Sequence, residues 1–89
     1  MQLTTSDMFI TGRVIQQTDK AMLITTSTDH GSKVTTWLPK SHSKEVINKG
    51  ILATSFIVNQ KANNEKLNLN AFPISDAIRQ GFISYSDLM

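Results

Sequence analysis

A hairpin pattern in the middle of the chain constrains the fold more than any other feature. Residues 21–28 and 33–38 are rich in β-branched side chains and alternate between two faces, which is typical of strands. Between them lies Asp29-His30-Gly31-Ser32, a turn signal in which glycine supplies a positive φ. Pro39 then ends the pairing because it has no amide N–H to donate. The two runs predict an antiparallel hairpin.

A longer strand is predicted before the hairpin. Residues 7–18 alternate as a strand does, and Gly12 interrupts them near the middle. A glycine inside a strand pattern commonly marks a bulge or a sharp bend. Such a bend would let one strand serve two halves of a barrel.

The pattern changes after Pro39. Ser41 or Ser43 is predicted to cap a short helix that runs to Lys49, with Gly50 as its terminator and Val46 and Ile47 as its buried pair. The remaining elements are predicted as a fourth strand, a polar loop and a fifth strand, over residues 53–59, 60–66 and 67–71.

This order predicts a mainly β protein, a five-stranded Greek-key barrel of the OB type with one helix between its third and fourth strands. The barrel domain covers residues 1–72. Residues 73–89 are predicted as a C-terminal helical tail, in which Ser75-Asp76 begins a helix and Gly81 ends it. An SH3-like barrel is the rival fold, but such barrels rarely place a helix after the third strand.

Composition limits the function classes. A chain of 89 residues allows one compact domain, and the absence of cysteine excludes disulfides and thiolate chemistry. The longest apolar run, residues 21–24, is too short to cross a bilayer, and the first residues lack the layout of a signal peptide. We therefore expect a soluble cytoplasmic protein with no membrane partner.

The net charge of +2 is concentrated in the middle of the chain. Residues 30–66 hold six lysines against Glu45 and Glu65, whereas the segment on either side has a net charge of −1. This distribution favours an anionic partner.

No pattern indicates catalysis. The chain has no glycine-rich phosphate loop, no nucleophile elbow and no paired carboxylates at helical spacing. His30 and His42 have no third residue at a spacing suited to a metal. We expect neither an enzyme nor a bound cofactor or metal.

A binding surface is the remaining possibility. Alternation places Lys33, Thr35 and Trp37 on the face opposite the core-facing residues of the third strand, and Met22 and Ile24 are expected to join that outer surface. OB-type barrels bind single strands by stacking bases on aromatic side chains between basic loops. Trp37 and Phe9 are predicted to stack bases, and five cations are predicted to hold phosphates: Arg13, Lys33, Lys40, Lys61 and Lys66.

Other interpretations of these residues stay open. A register slip of one residue would turn Trp37 inward, and Phe56 is favoured as a core residue. An exposed apolar strip would also suit a protein partner. The chain could then be a small accessory or inhibitory subunit that docks on a polymerase, primase, helicase or host defence factor. A homodimer is a third possibility.

The run Lys20-Ala21-Met22-Leu23-Ile24, a turn, Val34 and then Trp37-Leu38-Pro39-Lys40-Ser41 resembles a group of small proteins carried by phages and other mobile elements. In that group a similar hairpin ends in tryptophan, an aliphatic residue, proline, lysine and serine. The resemblance covers roughly residues 7–47. It implies a mobile genetic element as origin, and a role in replication or recombination as an OB-fold-like protein that binds single-stranded nucleic acid, DNA more than RNA.

Overall fold

The computed structural model describes residues 2–89, which form two antiparallel sheets with short helices packed against them. Residue 1, the start of the predicted barrel domain, lies outside the described residues. The strands are β1 Met8–Ile10, β2 Arg13–Gln17, β3 Ala21–Ser27, β4 Lys33–Pro39, β5 Ser43–Val46, β6 Gly50–Ala53 and β7 Ala71–Pro73. The helices are α1 Ser55–Glu65, α2 Ile74–Arg79 and a 3-10 helix at Tyr85–Leu88.

Strand order confirms the mainly β class but not the details of the barrel. One sheet has the order β5-β6-β1-β7, and the other has the order β2-β3-β4. Over residues 2–89 there are thus seven strands in two sheets, instead of five strands closed into one barrel. In the three-stranded sheet, β2 and β4 are edge strands.

Gly12 divides the first predicted strand between the two sheets. β1 pairs with β6 and β7, whereas β2 pairs with β3. Gly12 has a φ of +142°, and a Cβ built there would lie 2.2 Å from the carbonyl oxygen of Thr25. Only glycine permits this conformation and this approach without strain. The predicted bend is confirmed.

The β3–β4 hairpin is also confirmed, but its loop is longer than the turn signal indicates. The last pair is Ser27 with Lys33, so the loop comprises residues 28–32. Thr28 forms an isolated antiparallel bridge with Leu69, and its amide donates to the Ser32 carbonyl oxygen at 2.8 Å. In this register Leu23 lies opposite Trp37.

The helix predicted between Ser41 and Lys49 is wrong. Ser43–Val46 is a strand that pairs with Gly50–Ala53 across a three-residue loop. Asn48 in that loop has a φ of +66°, and Gly50 has a φ of +157°. Asparagine and glycine both tolerate positive φ, which hairpin loops require. Gly50, which was predicted to end a helix, is therefore part of a hairpin.

The fourth strand and polar loop predicted over residues 53–66 are wrong as well. Residues 55–65 form α1 instead, and its N-cap Thr54 accepts a hydrogen bond from the Ile57 amide at 3.2 Å. Lys66 ends the helix in the left-handed conformation. The β-branched residues here favoured a strand, but the threonine cap and the burial of Ile57 outweigh that propensity.

The fifth strand predicted over residues 67–71 is wrong except at Ala71, although the predicted alternation of burial is observed. Leu69 is buried while Asn68 and Asn70 are exposed. The ladder with β1, however, begins at Ala71 and ends at Pro73.

The core has two parts, one on each face of the four-stranded sheet. Ile10 and Ile51 face the three-stranded sheet and α1, in a cluster with Ile24 and Leu38. Phe9 and Leu52 face the opposite way, in a cluster with Leu3 and Val46. The C-terminal segment completes this cluster with Ile74, Ala77 and Ile83. The four-stranded sheet is therefore the middle layer, and residues 2–89 cover the three-stranded sheet on one face only.

The C-terminal segment forms the predicted helix and packs against the rest of the chain. α2 begins directly after Pro73, and Gly81 follows it with a φ of +84°. The predicted boundary between residues 72 and 73 falls inside β7. Beyond α2, Lys49 forms a 2.8 Å ion pair with Asp87, and Lys44 donates to the Asp87 carbonyl oxygen at 3.0 Å. These contacts join the 3-10 helix to the β5–β6 hairpin.

None of the helices within residues 2–89 is long and apolar enough to span a membrane.

Replacing Gly12 tests the bend between the sheets. We expect Gly12→Ala to lower the free energy of unfolding by roughly 2–6 kcal/mol, because backbone strain and steric overlap each cost about 1–3 kcal/mol. Gly31→Ala is the matched control, since Gly31 also has a positive φ but a Cβ there would meet no atom within 4 Å. Urea denaturation of the two variants measures the difference. Equal losses would contradict the close approach to Thr25.

A second prediction concerns Asp87. The hydrogen bond from Lys49, followed by that from the Ser84 amide, holds the pKa of the Asp87 carboxyl below its ordinary value. A carboxyl with a lowered pKa in the folded state adds stability above its unfolded pKa, and this contribution is lost as the pH falls through the folded pKa. We expect Lys49→Gln to raise the pKa of Asp87, measured by NMR titration of its carboxyl carbon. Arg79→Gln should leave it unchanged.

Candidate nucleic-acid interface

The uncovered face of the three-stranded sheet is the candidate site, and we call it the open face. Cross-strand partners lie on the same side of an antiparallel sheet, so the register defines its members. By this register they are Arg13 and Gln16 of β2, Ala21, Leu23, Thr25 and Ser27 of β3, and Lys33, Thr35, Trp37 and Pro39 of β4. Ile15 has no partner in the register, and its exposed side chain lies next to Gln16 at the bulge of β2. The open face contains no carboxylate.

Trp37 lies on the open face, as its strand phase predicts. Its side chain is 40% exposed, while its neighbours Thr36 and Leu38 are buried. The alternative of an inward-facing Trp37 is thereby excluded. Leu23 lies beside the indole, and Ile15 on β2 is also exposed, at 46%. An apolar strip thus crosses the sheet at Trp37.

Cations lie on both sides of this strip, toward the two ends of the sheet. Arg13 pairs across the strands with Thr25, and Lys33 pairs with Ser27, so both lie toward the Gly12 end of the sheet. At the other end the Lys40 amide donates to the Lys20 carbonyl oxygen at 2.8 Å. Within residues 2–89 none of these four cations forms a salt bridge, so their charges are available to an anion: Arg13, Lys20, Lys33 and Lys40.

A concavity of about 510 Å³ opens at the Gly12 end of the open face. It is lined by Arg13, by Lys33 and by side chains that carry hydroxyls, Thr11, Thr25, Thr26 and Ser27. We call it the Arg13 cleft. The Thr26 hydroxyl donates to the Thr11 carbonyl oxygen, which joins β3 to the chain just before Gly12. The cleft therefore combines two cations with neutral donors and has no acidic side chain in its lining.

Three side chains predicted to lie on the outer surface are buried. Phe9 is 1% exposed, and it packs against Phe72 and Phe82 at ring-centroid distances of 5.3 and 6.0 Å. The Phe9 side chain does point to the side of β1 away from Ile10, as predicted. That side of the four-stranded sheet, however, is covered by α2 and the segment after it. Met22 and Ile24 are buried between the sheets. The predicted outward position of all three is wrong.

Two predicted phosphate contacts lie on or next to α1 and are not members of the open face. Lys61 is inside the helix rather than in a loop; it is 8% exposed and forms a 3.0 Å ion pair with Glu65. Lys66 is exposed at the end of α1. Of the seven predicted residues, the open face and its ends bring together four: Trp37, Arg13, Lys33 and Lys40.

Three further exposed aromatic side chains lie outside the open face, and they are Phe56, Phe82 and Tyr85. Phe56, favoured as a core residue, is 60% exposed in the first turn of α1. Its ring lies 5.3 Å from that of His42. Ile47, predicted as a buried helix residue, is exposed in the β5–β6 loop.

Sequence reasoning missed Leu23 and Gln16 as members of the open face, and the exposed Ile15 next to Gln16. The register of β2 shifts between Val14 and Gln16, which leaves Ile15 as the extra residue of a bulge. The residues of β2 carry no glycine or proline that would signal this bulge. The four-residue turn signal at residues 29–32 likewise concealed Leu23, because it would pair Ile24 with Trp37, whereas the observed register pairs Leu23 with Trp37.

Within residues 2–89 no group of three or more histidine, aspartate or glutamate side chains is placed to hold a metal ion. Comparisons of the chain with family models, curated proteins and solved structures gave no match.

Proposed function

We propose that the open face binds single-stranded nucleic acid without sequence preference. The observation that carries this proposal is the pairing of an exposed Trp37 with unpaired cations at both ends of one uncovered sheet. Single-strand binding surfaces combine aromatic stacking platforms with cations that follow the backbone. Trp37 stacks a base, and Arg13, Lys33 and Lys40 bind phosphates.

DNA is the preferred ligand, in the replication or recombination of a phage or another mobile element. This part of the proposal depends only on the resemblance of the hairpin that ends at Ser41. An OB-type relationship stays a prediction on the same grounds. Deoxyuridine and uridine oligonucleotides of equal length separate DNA from RNA, because they differ only in the 2′-hydroxyl through which a protein distinguishes the two.

The geometry implies weak binding with a short footprint. One aromatic stack is worth about 1–3 kcal/mol by truncation, so most of the affinity comes from phosphate contacts. Those contacts release counterions and weaken as salt increases. Measurements therefore belong at low ionic strength, where Trp37 fluorescence reports the occupied site.

Replacing the indole tests the stacking role. We expect Trp37→Ala to weaken binding of a labelled oligothymidine by about 1–3 kcal/mol, measured by fluorescence anisotropy at low salt. Trp37→Phe should recover part of this loss because it restores an aromatic face. Phe56→Ala is the matched control, since Phe56 is exposed but lies outside the open face. Equal losses for Trp37→Ala and Phe56→Ala would contradict the assignment.

The salt dependence tests the cations separately. Each phosphate contact on a single strand contributes about 0.7 to the slope of log K against log salt. We expect Arg13→Gln and Lys33→Gln each to reduce the slope by about that amount, as measured by repeating the anisotropy titration at several salt concentrations. Arg79→Gln removes an exposed charge that is paired with Asp76 on α2, and it should leave the slope unchanged.

A second candidate function is docking on a larger replication or defence protein, as an accessory or inhibitory subunit. The exposed apolar side chains of Phe56 and Ile47 favour it, because exposed apolar patches often mark protein contacts. Loss of co-purification with such a protein in a Phe56→Ser variant, together with no response of Trp37 to any oligonucleotide, would favour this function over nucleic-acid binding.

A further inference from the structure

We propose that the Arg13 cleft binds the terminal phosphate of the strand that lies on the open face, so that the protein prefers a phosphorylated end over a hydroxyl end. This inference rests on the proposed function, since it assumes that a single strand occupies the face beside Trp37. It assigns to the cleft a ligand of different chemistry from the internal phosphodiesters that the rest of the face contacts.

Charge favours a terminal phosphate in this cleft. A phosphomonoester carries a charge of about −1.5 to −2 at pH 7, about twice that of a phosphodiester linkage. Arg13 and Lys33 both line the cleft, and neither forms a salt bridge within residues 2–89. No acidic side chain lines it. Two unpaired cations in one concavity match a dianion better than a single internal linkage.

The donors of the cleft also match a phosphomonoester. Such a group has three oxygens that accept strong hydrogen bonds, whereas an internal linkage has two that are not esterified. The planar guanidinium of Arg13 can bind two of these oxygens side by side, and the ammonium of Lys33 serves as a point charge. The half-buried side chains of Thr25 and Ser27 also line the cleft, and they add hydroxyl groups on β3, the strand between those that carry Arg13 and Lys33.

The cleft lies within reach of a short strand that stacks on Trp37. It lies where the chain passes from β1 to β2 at Gly12, and the backbone there approaches β3 so closely that a Cβ would overlap the Thr25 carbonyl oxygen. Lys33 lies four residues from Trp37 along β4, a distance of about 13 Å. A strand that advances at least about 3.4 Å per nucleotide covers this distance in no more than about four nucleotides. A short oligonucleotide can therefore reach both places.

The experiment compares hexathymidylates with a 5′-phosphate, a 3′-phosphate or hydroxyl groups at both ends, titrated at low salt and followed through Trp37 fluorescence. An octathymidylate with hydroxyl ends controls for total charge, because it carries about seven negative charges, as a phosphorylated hexamer does. We expect one phosphorylated hexamer to bind about tenfold more tightly than both unphosphorylated oligonucleotides, the effect of one or two hydrogen bonds to a charged group. The preferred end, 5′ or 3′, shows in which direction the bound strand crosses the open face.

The cleft residues are tested in the same titration. Arg13→Gln and Lys33→Gln should remove the preference for the phosphorylated hexamer. Arg79→Gln, with the same loss of one charge on the exposed surface of α2, should retain it. Equal loss of the preference in all three variants would show a general charge effect and would overturn the assignment to the cleft.

The outcomes separate this inference from the proposed function. If the phosphorylated hexamer binds no more tightly than the octamer, the terminal-phosphate site is wrong while single-strand binding stands. If no oligonucleotide binds, the proposed function fails, and this inference fails with it. In a final titration inorganic phosphate is added to the protein, and its binding is measured from the NMR shifts of the Thr25 and Ser27 amides. Saturation at phosphate concentrations as low as those of the phosphorylated hexamer would assign the cleft to free phosphate and overturn the proposal.

Discussion

Burial of both faces of the β1–β6 ladder is the constraint on which the rest of the structure depends. Phe9 and Leu52 are buried on one side, and Ile10 and Ile51 on the other. Each such side chain contributes about 1.5–3 kcal/mol when it is fully buried. Two layers are needed to cover this one sheet, and the three-stranded sheet and the C-terminal segment supply them. No further element within residues 2–89 packs against the second face of the three-stranded sheet, and this exposed face is the candidate site.

The hairpin and the bend at Gly12 could be predicted because their signals are local. Alternation, a glycine inside a strand and a proline at a strand end each act through the backbone of the residue concerned. Residues 41–66 were predicted wrongly because their signals are ambiguous. Gly50 can end a helix or shape a hairpin loop, and the β-branched residues of α1 favour a strand until Thr54 is recognised as a cap. Tertiary packing decides both cases.

The candidate site was predicted in part, and its main error comes from a single residue. A four-residue turn would pair Thr28 with Lys33 and place Ile24 beside Trp37. In the structure Ser27 pairs with Lys33, and the Thr28 amide donates to the Ser32 carbonyl oxygen at 2.8 Å, so every side chain of β3 lies on the opposite face. The phase of β4 itself was correct, so the exposure of Trp37 was predicted. Phe9 was wrongly predicted to be exposed, because its burial depends on residues more than sixty positions later in the chain.

The free edge of β4 has a further consequence, for self-association. An edge strand offers a row of backbone donors and acceptors to any other chain that meets it. Lys33 and Pro39 lie at the two ends of this edge; one adds a charge that repels a second copy, and the other lacks an amide proton. The segment between them, residues 34–38, is shorter than the segments of six or seven residues that stack into amyloid. The strand that presents the tryptophan is thus protected from fibril growth by the residues at its ends.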